Sequence, residues 1–146
     1  MSAAEVDEFL HGRRTMNVAT FNHDKTIHLV AMWYGFRRDG RPGFETFTKS
    51  QKIKNLKRDN RITCLLETGE TYDQLRGVEL VGTAEVTEDP EPLMEVARDV
   101  TRRYQDITDP EQLEMVAQML ARKRSCVTIN VRRVVSWDHR KLGGIY

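Results

Sequence analysis

The stretch TIHLVAMWYGF, residues 26–36, decides how the rest of the chain is read. It is rich in β-branched and aromatic residues, and its alternation sets Ile27, Leu29, Ala31 and Trp33 on one face against Val30, Met32, Tyr34 and Phe36 on the other. A strand with one wet face alternates apolar with polar residues, whereas here both faces ask for burial. Such a strand belongs inside a closed sheet, or between a core and a partner. Upstream, TMNVATF (residues 15–21) reads as a second strand, and NHDK (residues 22–25) supplies hairpin turn chemistry between the two. Downstream, Asp39-Gly40 returns the chain into GFETFT, residues 43–48, which predicts three consecutive antiparallel strands.

The same periods organise the remainder. RITCLLET (residues 61–68) and GVELVGTAEVT (residues 77–87) are strands, and Gly82 inside the second predicts a bend or a close backbone approach. Residues 3–11 form a short amphipathic helix on Val6, Phe9 and Leu10. Asp89-Pro90 and Asp109-Pro110 each place an N-cap acceptor before a proline at the first helical position. The apolar stripes that follow are Leu93, Val96, Ala97, Val100, Tyr104 and then Leu113, Val116, Ala117, Leu120. CVTINVRRVVSWD, residues 126–138, returns to strand before a short tail, HRKLGGIY. The expectation is one mainly β, α+β domain over residues 1–146, with about six strands and three or four helices. A meander of that kind hides both faces by closing into an antiparallel barrel.

Composition bounds the function. The 146 residues carry a formal net charge of +1, so global charge gives no argument for nucleic acid, and none is expected as a partner. No run approaches the roughly 20 apolar residues of a membrane span, and the acidic N-terminus does not read as a signal peptide, so the expected location is cytoplasmic. Cys64 and Cys126 lie in apolar stretches without a CxxC, so they read as buried thiols, and no metal site is expected.

Positive charge is nevertheless local: residues 49–61 hold six Lys or Arg. Thr48 or Ser50 can cap a short helix there, with Ile53 and Leu56 turned inward. Lys54, Lys57, Arg58 and Arg61 suit a solvated face near a helix C-terminus. Lys49 and Lys52 do not, because cations at a helix N-terminus are unfavourable unless an anion compensates, and that end is a ready seat for phosphate. A solvated face and an anion site are both open on this reading.

The order of elements, together with TFTKSQKIKNLKRDNRI, LRGVELVGTAEV and VVSWDHRKL, resembles the pyridoxamine 5′-phosphate oxidase-like superfamily. Within it the chain looks most like the actinobacterial branch that uses the deazaflavin coenzyme F420. The resemblance implies a six-stranded, FMN-binding-protein-like split β-barrel and a homodimer with the cofactor between subunits. It implies a phosphate grip from Thr48, Lys49, Ser50 and Lys52, with Asn55 nearby, and Thr46 as a further cofactor-binding residue. The ring system would run along Ala31, Met32 and Trp33 beside Val30, and the second subunit would add Arg76, Gly77, Val78 and Trp137.

The implied chemistry is hydride transfer from deazaflavin C5 to an electron-poor C=C or C=N bond of a small molecule. The cofactor carries that chemistry, so no triad or paired-carboxylate signature is required. No catalytic residue is assigned; Tyr34, His28 and His139 are candidate proton donors, with none preferred. Two alternatives keep the same site: FMN in place of F420, or a non-enzymatic carrier of F420, FMN or haem. Arg37, Arg38, Arg41, Lys54 and Lys57 could line an exit for the acidic F420 tail, or serve only solubility.

Overall fold

The hairpin that starts the sheet pairs β1, Met16–Phe21, with β2, Ile27–Met32, residue for residue from Met16 opposite Met32 to Phe21 opposite Ile27. The computed structural model describes residues 1–143. Helix α1, Ala3–His11, precedes the hairpin and is closed by a capping box between Ser2 and Glu5. The remaining strands are β3, Gly35–Phe36; β4, Pro42–Phe47; β5, Arg61–Thr68; β6, Arg76–Thr87; and β7, Arg124–Asp138. Three more helices, α2, Gln51–Arg58, α3, Pro90–Tyr104, and α4, Pro110–Ala121, complete the set. The C-terminal tail begins with a 3-10 turn over His139–Leu142, and its last three positions lie outside the described residues.

All pairings are antiparallel, in the order β2-β1-β5-β6-β7-β4-β3. The two outermost strands, β2 and β3, are consecutive in the chain and separated only by Trp33 and Tyr34. The three steps from Met32 to Gly35 span at most about 11 Å, so both sheet ends must meet at that corner, and the sheet curls into an incompletely closed barrel.

This corrects two expectations. There are seven strands among the described residues where six were expected, because the predicted strand over residues 26–36 is split. Its first part pairs with β1; at Trp33 and Tyr34 the backbone leaves the ladder, and its last part pairs with β4. Alternation runs unbroken through the switch, since Tyr34 turns its ring into the core and Trp33 stacks on Tyr104 with ring centroids 5.0 Å apart. The predicted three-strand meander is therefore interrupted, and the main partner of β4 is β7.

Inside the barrel lie Met16, Val18, Tyr34, Phe44, Ile62, Cys64, Leu66, Val78, Leu80 and Val127, all wholly or almost wholly buried. Ile53 and Leu56 of α2 join them, and burial of two such side chains, worth about 1.5 to 3 kcal/mol each, holds this short helix against the barrel end. Every residue of the predicted α3 stripe is buried, against Cys126 on the other face of β7. Gly82 sits at a register break with β7, where a Cβ would lie 2.1 Å from the Asn130 carbonyl oxygen.

Apolar side chains are uncovered on both sides of the sheet within a single chain. Ile27 and Leu29 of β2 are 64% and 66% exposed, and Val131, Val134 and Val135 of β7 are exposed as well. Among the described residues, no helix is long and apolar enough to cross a membrane.

Candidate functional site

Three residues separate the end of β4 from the start of helix α2, so the strand end and the first helical turn share one corner of the barrel. Ser50 is the N-cap, yet no side chain accepts a hydrogen bond from the first turn and no acidic residue lies in it. Thr48 does not cap either; its hydroxyl is 2.9 Å from that of Ser125 on β7. The Ser50 hydroxyl is buried and has no partner among the described residues. The free N–H groups and the positive end of the helix dipole are thus left uncompensated.

Lys52 adds a full charge to this end. It is only 9% exposed, its Nζ donates to the Thr46 hydroxyl at 3.0 Å, and it forms no ion pair among the described residues. Burial, and then the nearby positive charge of Arg124, hold its ammonium below the ordinary lysine range. Lys49, by contrast, is exposed. Asn55 is wholly buried and engaged within the fold: its Nδ2 donates to Thr20 and Asn22, and its Oδ1 accepts from Gln51 and Arg58. Its role in the structure is to staple α2 to β1.

Successive residues of β4 face opposite ways, so Glu45 points away from Thr46. Its carboxyl lies under a cavity of about 300 Å³ lined by Thr15, Ala31, Met32, Trp33, Leu120 and Arg124. Three residues expected along a ring system therefore meet at one cavity, together with an acid and a guanidinium that sequence reasoning did not single out. The Glu45 side chain is 5% exposed, with Oε1 3.4 Å from Arg124 Nη1 and Oε2 buried without a partner. Burial pushes the carboxyl up to about 7, against the opposing pull of its own backbone and Arg124. Arg124 also lies over the Phe47 ring at 4.6 Å and acts electrostatically on Lys52, so it joins the cavity to the α2 corner. The signal for Glu45 was present in GFETFT, where one carboxylate interrupts an apolar strand.

The other expected residues lie elsewhere. Gly77 pairs with Trp137, and a Cβ on Gly77 would fall 2.1 Å from the indole, so the glycine makes room for the ring. Val78 is wholly buried in the core. Arg76 lies 5.6 Å over the Phe9 ring and borders a separate cavity of about 180 Å³ with Arg14, Asp138 and Arg140. This group stands at the far end of β7 from Arg124, so one chain does not bring it to the α2 corner.

The candidate proton donors are dispersed too. Tyr34 donates to the Leu10 carbonyl, and burial pushes its phenol up to about 12. His28 is half-buried on β2, and a ring nitrogen of His139 is 2.8 Å from the Tyr72 carbonyl oxygen. Of the cations considered for an acidic tail, Arg37, Arg38, Arg41 and Lys57 each lie within ion-pairing distance of a carboxylate. Among the described residues, no group of three His, Cys, Asp or Glu side chains is placed to hold a metal ion.

Comparison with known proteins agrees with this architecture. The family model described as pyridoxamine 5′-phosphate oxidase matches residues 2–138. The solved structure of the conserved hypothetical protein Rv2991 from Mycobacterium tuberculosis is 48% identical, with a TM-score of 0.91 over 100% of this chain and 90% of that one. An F420 reductase is 21% identical, with a TM-score of 0.65 over 88% of this chain and 94% of that one. HutZ, the haem storage protein from Vibrio cholerae, is 11% identical, with a TM-score of 0.65 over 93% of each chain. The last two share the fold alone. Among curated proteins, none matches.

Proposed function

From the premise that this chain belongs to the pyridoxamine 5′-phosphate oxidase family, we propose that it is a reductase working with the deazaflavin F420. The observation that carries the reading is Lys52, a buried cation at a helix start with no carboxylate partner among the described residues. A phosphate fits what surrounds it: the orphaned Ser50 hydroxyl, the open N–H groups of α2 and the ammonium together form a donor set that lacks an anion. Thr46 fixes the Lys52 ammonium, and Thr48 is held to Ser125, so the corner is preorganised. Ala31, Met32 and Trp33 supply an apolar wall for a planar ring.

When bound, the deazaflavin supplies a hydride from C5 to an electron-poor C=C or C=N bond. The chain's own part is to grip the phosphate, orient the ring and exclude water from the cavity beside Glu45. A homodimer completes the proposal. The uncovered Ile27, Leu29 and Val135, on the outer side of the sheet, support a second copy on that face. Arg76 at the start of β6 and Trp137 near the end of β7 would then serve the partner's site. F420 is preferred to FMN on the branch that the motifs resemble and not on the acidic-tail cations, most of which are already paired.

Titration of the purified protein with F420, FMN and haemin tests the reading. F420 binding at the lowest concentration, followed by oxidation of reduced F420 in the presence of enones or quinones, is the expected result. Tighter FMN binding would transfer the proposal to an FMN oxidoreductase. Haemin binding without either would make the protein a carrier.

A further inference from the structure

Among the described residues, three buried side-chain polar atoms have no hydrogen-bond partner: Ser50 Oγ, Arg103 Nε and Glu45 Oε2. Ser50 belongs to the phosphate corner. The Arg103 guanidinium is otherwise spent on the carbonyls of Leu10, His11 and Gly12. Glu45 Oε2 has neither explanation, and leaving such an oxygen unpaired costs about 1 to 3 kcal/mol.

We propose that Glu45 is the acid of this site, donating a proton from Oε2 to the substrate atom that becomes basic when hydride is added, inside the cavity bounded by Trp33 and Arg124. This rests on the reductase reading above. With an activated C=C substrate, hydride from the reduced deazaflavin adds at the β carbon and the π pair moves toward the α carbon. The Glu45 O–H bond then breaks as the α C–H bond forms. The substrate has then accepted one hydride and one proton, two electrons and two protons in all, and Glu45 is left as a carboxylate that water reprotonates after product leaves.

The geometry suits both halves of that cycle. Oε2 is free to donate, while Oε1 lies 3.4 Å from Arg124 Nη1, which can balance the carboxylate once the proton has gone. Among the described residues, the charged or titratable groups facing Glu45 are Arg124 and Cys126, both on β7; Leu120 of α4 and the Ala31, Met32, Trp33 wall are uncharged. Burial, which pushes the carboxyl up to about 7, keeps it substantially protonated near neutral pH, where a general acid is most useful. The lining points to a small, planar, conjugated substrate that stacks on the ring seated along Ala31, Met32 and Trp33, with one acid and one guanidinium beside it.

Wild type, Glu45→Gln and Glu45→Asp are compared in three measurements. First, infrared difference spectra of the cofactor-free protein between pH 5 and pH 8 should contain a protonated-carboxyl band that titrates near neutrality and is missing from Glu45→Gln. Second, F420 titration should show that all three proteins bind the cofactor, so that turnover is compared at saturation. Third, single-turnover oxidation of reduced F420 with 2-cyclohexen-1-one or menadione should slow by about 10²- to 10⁴-fold in Glu45→Gln and be partly retained in Glu45→Asp. Loss of turnover at high pH should follow the infrared midpoint. Wild type that neither binds F420 nor turns over overturns the reductase reading, and the donor with it. Normal F420 binding with wild-type turnover in Glu45→Gln overturns the donor alone, as does the absence of the infrared band.

Discussion

Lys52→Met keeps an unbranched side chain in the space beside Thr46 while removing the ammonium, and two effects of opposite sign follow. In the ligand-free protein the variant loses one charge-assisted hydrogen bond, made at 3.0 Å to Thr46 and worth about 1.5 to 3 kcal/mol. Against this it removes the desolvation penalty of a buried cation, several kcal/mol, and adds apolar burial of about 1 kcal/mol. The net is a gain on the order of 1 to 2 kcal/mol, or a few degrees in Tm for a chain of this size. With a phosphate-bearing ligand the sign reverses, and loss of the ammonium weakens binding about 10- to 150-fold.

The pH dependence gives a further check. Because the folded-state value of Lys52 is lowered, the unfolded chain binds more protons between that value and the ordinary lysine value of about 10.4. Wild-type stability therefore rises with pH across that window, and the advantage of the methionine variant shrinks there. Urea unfolding at pH 7 and pH 9.5, alongside F420 titration at pH 7, measures all three quantities. A variant that is less stable at pH 7 and binds F420 as wild type does would make Lys52 a structural lysine and remove the phosphate corner.

Glu45→Gln should flatten a second pH dependence of stability. The folded carboxyl titrates at about 7 against an ordinary 4.5, so the folded protein holds its proton longer and stability falls as pH rises through that window; by pH 8 the variant should be more stable by up to about 3 kcal/mol, read from urea midpoints at pH 5 and pH 8. Gly77→Ala should cost about 1 to 3 kcal/mol, since its methyl would lie 2.1 Å from the Trp137 indole, and most of that cost should vanish in a Trp137→Ala background; additive losses in the cycle would refute the contact. Asn55→Ala should lose about 1 to 3 kcal/mol by freeing α2 from Thr20 and Asn22, while the folded fraction keeps its F420 affinity; a selective loss of affinity would return Asn55 to the phosphate grip.

Local periodicity was legible and long-range pairing was not. The α3 stripe, Leu93 through Tyr104, repeats at three and four residues, and every member is buried. Residues 26–36 also alternate without a break, yet they change sheet partner at Trp33 and Tyr34, because the partner is chosen by β4 and β1 and not by the strand's own pattern. The site divides the same way. Helix phase and the sign of the helix dipole separate Lys52, turned to Thr46, from the C-terminal cations on the outer face. Glu45 was harder to find, since the groups that bury it, Cys126 and Leu120, are brought from far along the chain. The set at the far end of β7 was named from resemblance alone, and one chain gives it no ligand to meet.

Apart from Arg103 Nε, the buried polar side chains elsewhere among the described residues find partners. Asn55 uses both ends of its amide, Glu95 holds Arg37 at 2.5 Å, and Asp138 takes both Nε and Nη2 of Arg140. Against that background, an unpaired cation, a hydroxyl with no partner and a carboxyl with one free oxygen are concentrated around the end of β4, with Arg124 in contact with both sides. Poor packing would scatter such defects and leave them apolar in character; these are all groups that an anionic, planar ligand and a substrate atom in need of a proton would satisfy. The stability given up at this corner is therefore best understood as the part of the site that folding alone leaves incomplete, which is why removing the Lys52 charge, or above neutral pH the Glu45 charge, should strengthen the empty protein and weaken the working one.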